Sequence, residues 1–228
     1  GTHERCNKPI TRKNLPQWIF NITKYADSLL ATLDGLDWPK GILEMQRNWI
    51  GKDKGLNIQF SIVKPLLASP IRGGQCTHWG GVKPHITVWT KFWETVFGTT
   101  FLVLAPEHEF VSSLLNPKSE IRNPKQDEVA EYVKNALAKT DEQRMKEEKV
   151  KTGVFTGYYA INPANGKQVP IWVADYVLSN VGTGAVMGVP SHDERDFQFA
   201  KKYNLPIIRV VAPKKDARSM LMGLKDGI

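Results

Sequence analysis

The chain has 228 residues, 41% hydrophobic and 24% charged, with 31 Lys and Arg against 23 Asp and Glu for a net charge of +8, a balance that leans towards a polyanionic partner such as nucleic acid. Its two cysteines, Cys6 and Cys76, lie 70 positions apart without a CxxC pair, so neither a disulfide framework nor a structural zinc site is expected. The longest apolar runs, such as 101–106, fall far short of the roughly 20 residues of a membrane helix, and no n-region and h-region of a signal peptide open the chain.

Residues 1–14 are polar and pattern-free. Trp18, Ile22, Tyr25, Leu29 and Leu33 then recur at helical spacing, which predicts one amphipathic helix over 15–33, closed by turns at Asp34-Gly35 and Trp38-Pro39. One helix cannot form a core, so 1–46 reads as a flanking piece of something larger. From residue 47 the pattern is one of strands. Leu56, Ile58, Phe60 and Ile62 alternate with polar residues, and His85–Thr90 and Thr99–Ala105 follow. Val129, Tyr132, Val133, Ala136 and Leu137 predict a helix within 125–149, its charged end forming a solvated face. Val154–Ile161 and Val169–Val177 flank an Asn165-Gly166 turn and predict a hairpin. Gly182–Val189 runs into a helix at about His192–Tyr203, and 207–212 reads as a last strand. The sum is an α/β (α+β) domain at 47–228, with a barrel-like mixed sheet and peripheral helices rather than a doubly wound sheet.

The densest candidate site is Gly182–Asp196. The dinucleotide fingerprint fails there, because Met187 stands at the third glycine position. A glycine-rich strand leading into a helix N-terminus remains. Ser191 and Glu194 fit the capping box, and Asp193 suits the helix dipole. His192, Asp193 and Asp196 are spaced to share one helical face. That face is either an ordinary solvated one or a paired-carboxylate pocket able to hold a substrate ammonium. A second candidate is 87–100, with five threonines in 14 residues. These reflect either plain strand propensity or a hydroxyl-lined wall that orients a water or an ester. Trp89, Phe92, Trp93 and Phe97 fit a core better than stacking platforms, although an exposed Phe92 or Trp93 would stack on a base. His78 and His85 flank a Gly-Gly turn and lack the partners of a metal site. No Ser-His-Asp arrangement is visible.

Four blocks carry a resemblance: Arg47-Asn48-Trp49-Ile50-Gly51, Glu94–Thr100, Leu102–His108 and Gly182–Asp196. They resemble the inserted editing domain, connective peptide 1, of leucyl-tRNA synthetases of the bacterial or organellar type. Residues 12–50, with Gln17-Trp18 and Leu36–Pro39, resemble the catalytic core just before that insertion. The resemblance implies hydrolysis of the ester of mischarged aminoacyl-tRNA(Leu), carrying for example isoleucine or norvaline. A second sieve is physically needed, since one methylene separates aliphatic side chains by only about 1–3 kcal/mol. It implies no metal or cofactor for this domain, ATP for the full-length synthetase, a tRNA(Leu) acceptor end as partner, no membrane, a monomeric isolated domain, and a cytoplasmic or organellar location.

By matching position, Asp196 would bind the substrate α-amino group with Asp193 supporting it, and Thr95 would exclude leucine. Met187 and Val189 would shape the pocket, and Thr90 would lie close to the ester and adenosine. Lys91 and His192 complete the implied substrate-binding set. The family's usual Thr-Thr-Arg-Pro-Asp-Thr reads here Thr90-Lys91-Phe92-Trp93-Glu94-Thr95, and Val181 replaces a common tyrosine. Two further readings therefore stand beside the deacylase. One is an editing-impaired module that only docks the tRNA acceptor end. The other is a free-standing nucleic-acid-binding domain.

Overall fold

The computed structural model describes residues 3–8, 16–63, 84–116, 125–145 and 151–212. His78 and Cys76 lie outside the described residues. The chain divides into two compact units, Gly1–Asp53 and Lys54–Ile228.

In the first unit a 3₁₀ turn at Ile22–Tyr25 leads into helix α1 (Ala26–Leu33), followed by α2 (Lys40–Ile50). The helix expected over 15–33 therefore begins only at residue 22, and Trp18, Ile19 and Phe20 are exposed in irregular chain. Helical spacing was present, but among this unit's described residues only Leu33 is buried. The strand pattern expected from 47 starts later, because α2 occupies that stretch. Pro39 precedes α2, and Gly51, with φ 59°, ends it in the left-handed conformation that favours glycine. The ion pairs Arg47–Asp34 (2.5 Å) and Lys52–Asp27 tie the two helices and the loops around them together.

The second unit is built on a six-stranded mixed sheet. Its strands are β1 (Leu56–Val63), β2 (His85–Thr90), β3 (Phe101–Leu104), β4 (Gly153–Ile161), β5 (Gln168–Ala174) and β6 (Ala185–Gly188). Their order is β2-β1-β4-β5-β3-β6, with only β3 and β5 parallel. The outermost strands, β2 and β6, approach one another, which curls the sheet towards a barrel. The β4–β5 hairpin forms at the expected turn. Its ladder shifts between Phe155 and Tyr159, where Gly157 takes φ 80°.

Four helices cover the sheet: α3 (Glu109–Leu115), α4 (Gln126–Leu137), α5 (Asp141–Met145) and α6 (Glu194–Lys202). The single helix expected within 125–149 is thus broken at 138–140, and 146–150 lie outside the described residues. Phe60, Ile86, Val88, Leu102, Leu104, Val129, Ile171 and Met187 share one apolar cluster, while Phe101, Val103 and Phe199 anchor a second beneath α6. Buried Arg144 in α5 binds Glu107 at 2.6 Å and the carbonyls of Asp175 and Val177 at 2.7 and 2.8 Å. His108 Nδ1 accepts the Phe110 N–H and caps α3. The Ala-Pro-Glu-His block thus joins elements together.

The strand expected at 207–212 does not form. Val210 instead packs so closely that a Cβ on Gly98 would meet it at 2.9 Å, and its N–H points to His192.

Candidate functional site

The two carboxylates of the Gly182–Asp196 block lie where β6 ends and α6 begins. Gly188, the last residue of β6, lies so near the Phe101 ring that a Cβ there would sit 2.4 Å from it. Only glycine lets these two strands close. One peptide later the chain leaves the sheet, and His192 N–H and Asp193 N–H both turn back to Val189 O, at 2.8 and 3.1 Å.

This turn uses up Ser191, so the expected Ser191 cap is not formed. Asp193 is the N-cap of α6, its Oδ1 accepting the N–H of Arg195 (2.9 Å) and of Asp196 (3.2 Å). Because α6 starts at Glu194, His192 and Asp193 precede the helix and do not share a helical face with Asp196. Burial pushes the Asp193 carboxyl up, but hydrogen bonds from the Arg195 side chain and the Asp196 N–H, with the Arg195 charge, outweigh it and hold the acid below its ordinary range. Asp193 is thus a charged support for the next carboxylate.

Asp196 is 6% exposed, and its Oδ2 accepts the Val189 N–H at 2.9 Å. Its Oδ1 accepts no hydrogen bond among the described residues. Burial raises this carboxyl to about 7, the nearby Asp193 charge adding to the shift while the Val189 bond and Arg195 oppose it. A carboxylate this costly to desolvate becomes favourable only when a cation reaches it. The strand end it binds is apolar: Met187 is buried in the first cluster, and Val189 is half-buried against that cluster. Tyr176 lies close enough for the Asp196 and Asp193 charges to raise its phenol further, after burial, well above the ordinary value.

The threonine-rich stretch is a strand end followed by a 3₁₀ helix, Trp93–Gly98. Thr90 closes β2, and its hydroxyl accepts the Phe92 N–H at 3.1 Å. Thr95 is buried, and its hydroxyl donates to Phe92 O at 2.7 Å. Lys91 Nζ stands 5.4 Å from the Phe92 ring centroid. The aromatic residues expected in the core are exposed instead: Trp89, Phe92, Trp93 and Phe97 each show at least two fifths of their surface. They follow the strand end and the 3₁₀ helix, whose buried side is already filled by Thr95 and Val96. His192 is exposed, and its Nε2 accepts the N–H of Val210 and Val211 at 3.3 and 3.4 Å. It therefore holds the outgoing chain.

Val189, Asp193 and Asp196 are brought together directly, with Met187 two residues before Val189 in β6, whereas the side-chain hydrogen bonds of Thr90 and Thr95 stay within their own turn. In the sequence Thr99 and Thr100 stand out only as part of a threonine-rich stretch. Both are buried, and both hydroxyls lack a hydrogen-bond partner among the described residues. No group of metal-ligating side chains occurs among the described residues, and no described helix is long and apolar enough to cross a membrane.

Comparison with known proteins identifies the architecture. The family model described as "Leucyl-tRNA synthetase, editing domain" matches residues 47–225. Leucine–tRNA ligases of Dehalococcoides mccartyi strains 195 and CBDB1 are 47% identical over 213 residues and 45% over 215. These matches take in 93% and 94% of this chain but 24% of each ligase, so the chain spans about a quarter of these relatives' length. The crystal structure of the ternary complex of Agrobacterium radiobacter K84 agnB2 LeuRS, tRNA and LeuAMS superposes with a TM-score of 0.63 at 31% identity, covering 99% of this chain and 25% of that one. A mixed sheet curled on itself, with a buried carboxylate at the β6–α6 junction and a family match over most of its length, shows that this chain belongs to the leucyl-tRNA synthetase editing-domain family.

Proposed function

We propose that the site hydrolyses the ester of mischarged aminoacyl-tRNA(Leu) after transfer, as the editing part of a leucyl-tRNA synthetase, with residues 1–46 belonging to the adjoining core. The observation that carries this reading is Asp196. It is a buried carboxylate with one oxygen fixed by Val189 and the other open to a ligand, beside the end of the strand that carries apolar Met187 and runs into Val189. That pairing suits an α-ammonium with an aliphatic side chain beside it. Asp193 holds the start of α6 and so aims Asp196, and Thr95 limits the size of the side chain accepted.

In the reaction a water oxygen bonds to the ester carbonyl carbon. The bond from that carbon to the ribose oxygen breaks, and the ribose oxygen takes up the proton that the water loses. Lys91, next to Thr90 in the chain, would meet the acceptor-end phosphates as a point charge. ATP would serve amino-acid activation elsewhere in the synthetase, and a cytoplasmic or organellar location follows from that role.

One observation favours the editing-impaired alternative. One acceptor position of the Thr90 hydroxyl is taken by the Phe92 N–H, and Lys91-Phe92-Trp93 replaces the polar groups of the usual motif. Deacylation of pre-formed isoleucyl- and norvalyl-tRNA(Leu) by the intact protein separates the two readings. Hydrolysis that disappears in Asp196→Asn supports the deacylase. Tight tRNA binding with no hydrolysis supports the docking module.

A further inference from the structure

The Gly188–Val189 peptide is gripped from both edges. Its N–H donates to Asp196 Oδ2 at 2.9 Å, and its carbonyl accepts the Thr100 N–H at 3.0 Å. In a trans peptide these two groups point in opposite directions. Asp196 and Thr100 therefore stand on opposite edges of one rigid plane, at the end of the strand that carries Met187.

Thr100 is 5% exposed, and its hydroxyl has no hydrogen-bond partner among the described residues; neither does that of Thr99 beside it, at 3%. Buried hydroxyls are nearly always satisfied, because leaving one unpaired costs stability. Strand propensity does not explain this arrangement, since valine fills a buried strand position equally well without a polar atom. The unused hydroxyl belongs to the residue whose N–H holds the other edge of the peptide that Asp196 binds.

An α-amino ester bound through its ammonium at Asp196 Oδ1 and laid across this peptide edge brings its carbonyl to the Thr100 side. We propose that the Thr100 hydroxyl is a catalytic hydrogen-bond donor to the ester carbonyl oxygen, an assignment that rests on the deacylase reading above. As water adds to the carbonyl carbon, the π pair moves onto this oxygen, and the Thr100 O–H bond to it strengthens without transferring its proton. When the pair returns, the ribose oxygen leaves. A donor placed where charge develops stabilises the transition state more than the ground state.

The test is single-turnover deacylation of norvalyl-tRNA(Leu) by the intact protein, comparing Thr100→Val, Thr100→Ser and Asp196→Asn with the unmodified chain, alongside thermal melts. Thr100→Val should lower the maximal rate about 10²-fold, the usual effect of losing one such donor, with the half-saturating concentration nearly unchanged. Thr100→Ser should retain most of the rate. Thr100→Val should melt at the same or a higher temperature, because it removes an unpaired buried hydroxyl. If valine does not fold, Thr100→Ala makes the same comparison. A Thr100→Val rate equal to that of the unmodified protein, while Asp196→Asn is inactive, overturns this assignment and leaves the deacylase reading standing. A rise only in the half-saturating concentration also overturns it, since the hydroxyl would then contact the ground state alone. If the unmodified protein and Asp196→Asn are equally slow, the deacylase reading fails and this assignment with it.

Discussion

Asp196 accepts a hydrogen bond from the backbone N–H of Val189, seven positions earlier, so the end of β6 and the first turn of α6 are fixed through one carboxylate oxygen. The bond orients the carboxylate without neutralising it. Burial then makes its charge conditional on a ligand.

Binding should therefore depend on pH. With the Asp196 carboxyl raised to about 7, it is neutral in acid and cannot pair with an ammonium. Affinity for an aminoacyl-adenosine analogue carrying an amide in place of the ester should fall below about pH 7, by up to about tenfold per unit. Asp196→Ala should bind weakly at every pH. Calorimetric titration between pH 5.5 and 8.5 measures this, and a flat profile would remove Asp196 from the ligand.

Stability should move the opposite way in the free protein. A carboxyl raised to about 7 keeps its proton in the folded state where the unfolded chain has lost it. Folded-state stability therefore falls as pH rises from about 4 to about 7, and the penalty persists above that. Asp196→Asn keeps an oxygen for Val189 N–H and has no charge to bury. It should be more stable than the natural chain at pH 8 by about 1–3 kcal/mol, and close to it at pH 5. Urea midpoints at the two pH values give the comparison, and an equal difference at both would contradict it.

Thr95 combines a buried side chain with a hydroxyl bonded to Phe92 O at 2.7 Å. Thr95→Ala should admit leucyl-tRNA to hydrolysis by removing bulk, since exclusion by size needs only a few atoms. Thr95→Val restores the volume without the hydroxyl, and should spare leucyl-tRNA while losing about 1 kcal/mol of stability. Hydrolysis of leucyl-tRNA by the valine variant would assign the exclusion to the hydroxyl instead.

Restoring Thr-Arg-Pro at 91–93 tests the altered motif. Trp93 is the first residue of the 3₁₀ helix, a position that suits proline, so the backbone should accept the change. Regaining one transition-state hydrogen bond should raise deacylation at least roughly tenfold. A natural chain already as fast as the restored one would show that its Lys-Phe-Trp segment is compensated elsewhere.

The sequence made some of this legible and concealed the rest for identifiable reasons. Strand alternation at Leu56–Ile62 and the Asn165-Gly166 turn located β1 and the β4–β5 hairpin, because period and turn chemistry are local. The segment 207–212 has equal strand propensity, but its Val210 and Val211 N–H groups go to His192 rather than to a strand. Propensity cannot supply a partner. Ser191 matched a cap pattern that Asp193 fills, since the turn onto Val189 O delays the helix by two residues. The Gly182–Asp196 block marked where the carboxylates lie, but not that one is charged at the surface of the turn and the other buried. The Thr100 N–H is held by Gly188, 88 residues further along the chain, and no local pattern encodes that bond or the burial of the hydroxyl beside it.

The β4–β5 turn has a consequence for how this domain is modified. Asn162 and Asn165 donate to the carbonyls of Val96 and Phe97, bracing the segment that carries Thr95 from 66 and 68 positions away. If Thr95 sets the size limit proposed above, selectivity has a remote handle. Loop grafts at 162–167 could retune which side chain is rejected while every residue facing the ligand stays as it is. A library confined to the pocket would never sample that solution.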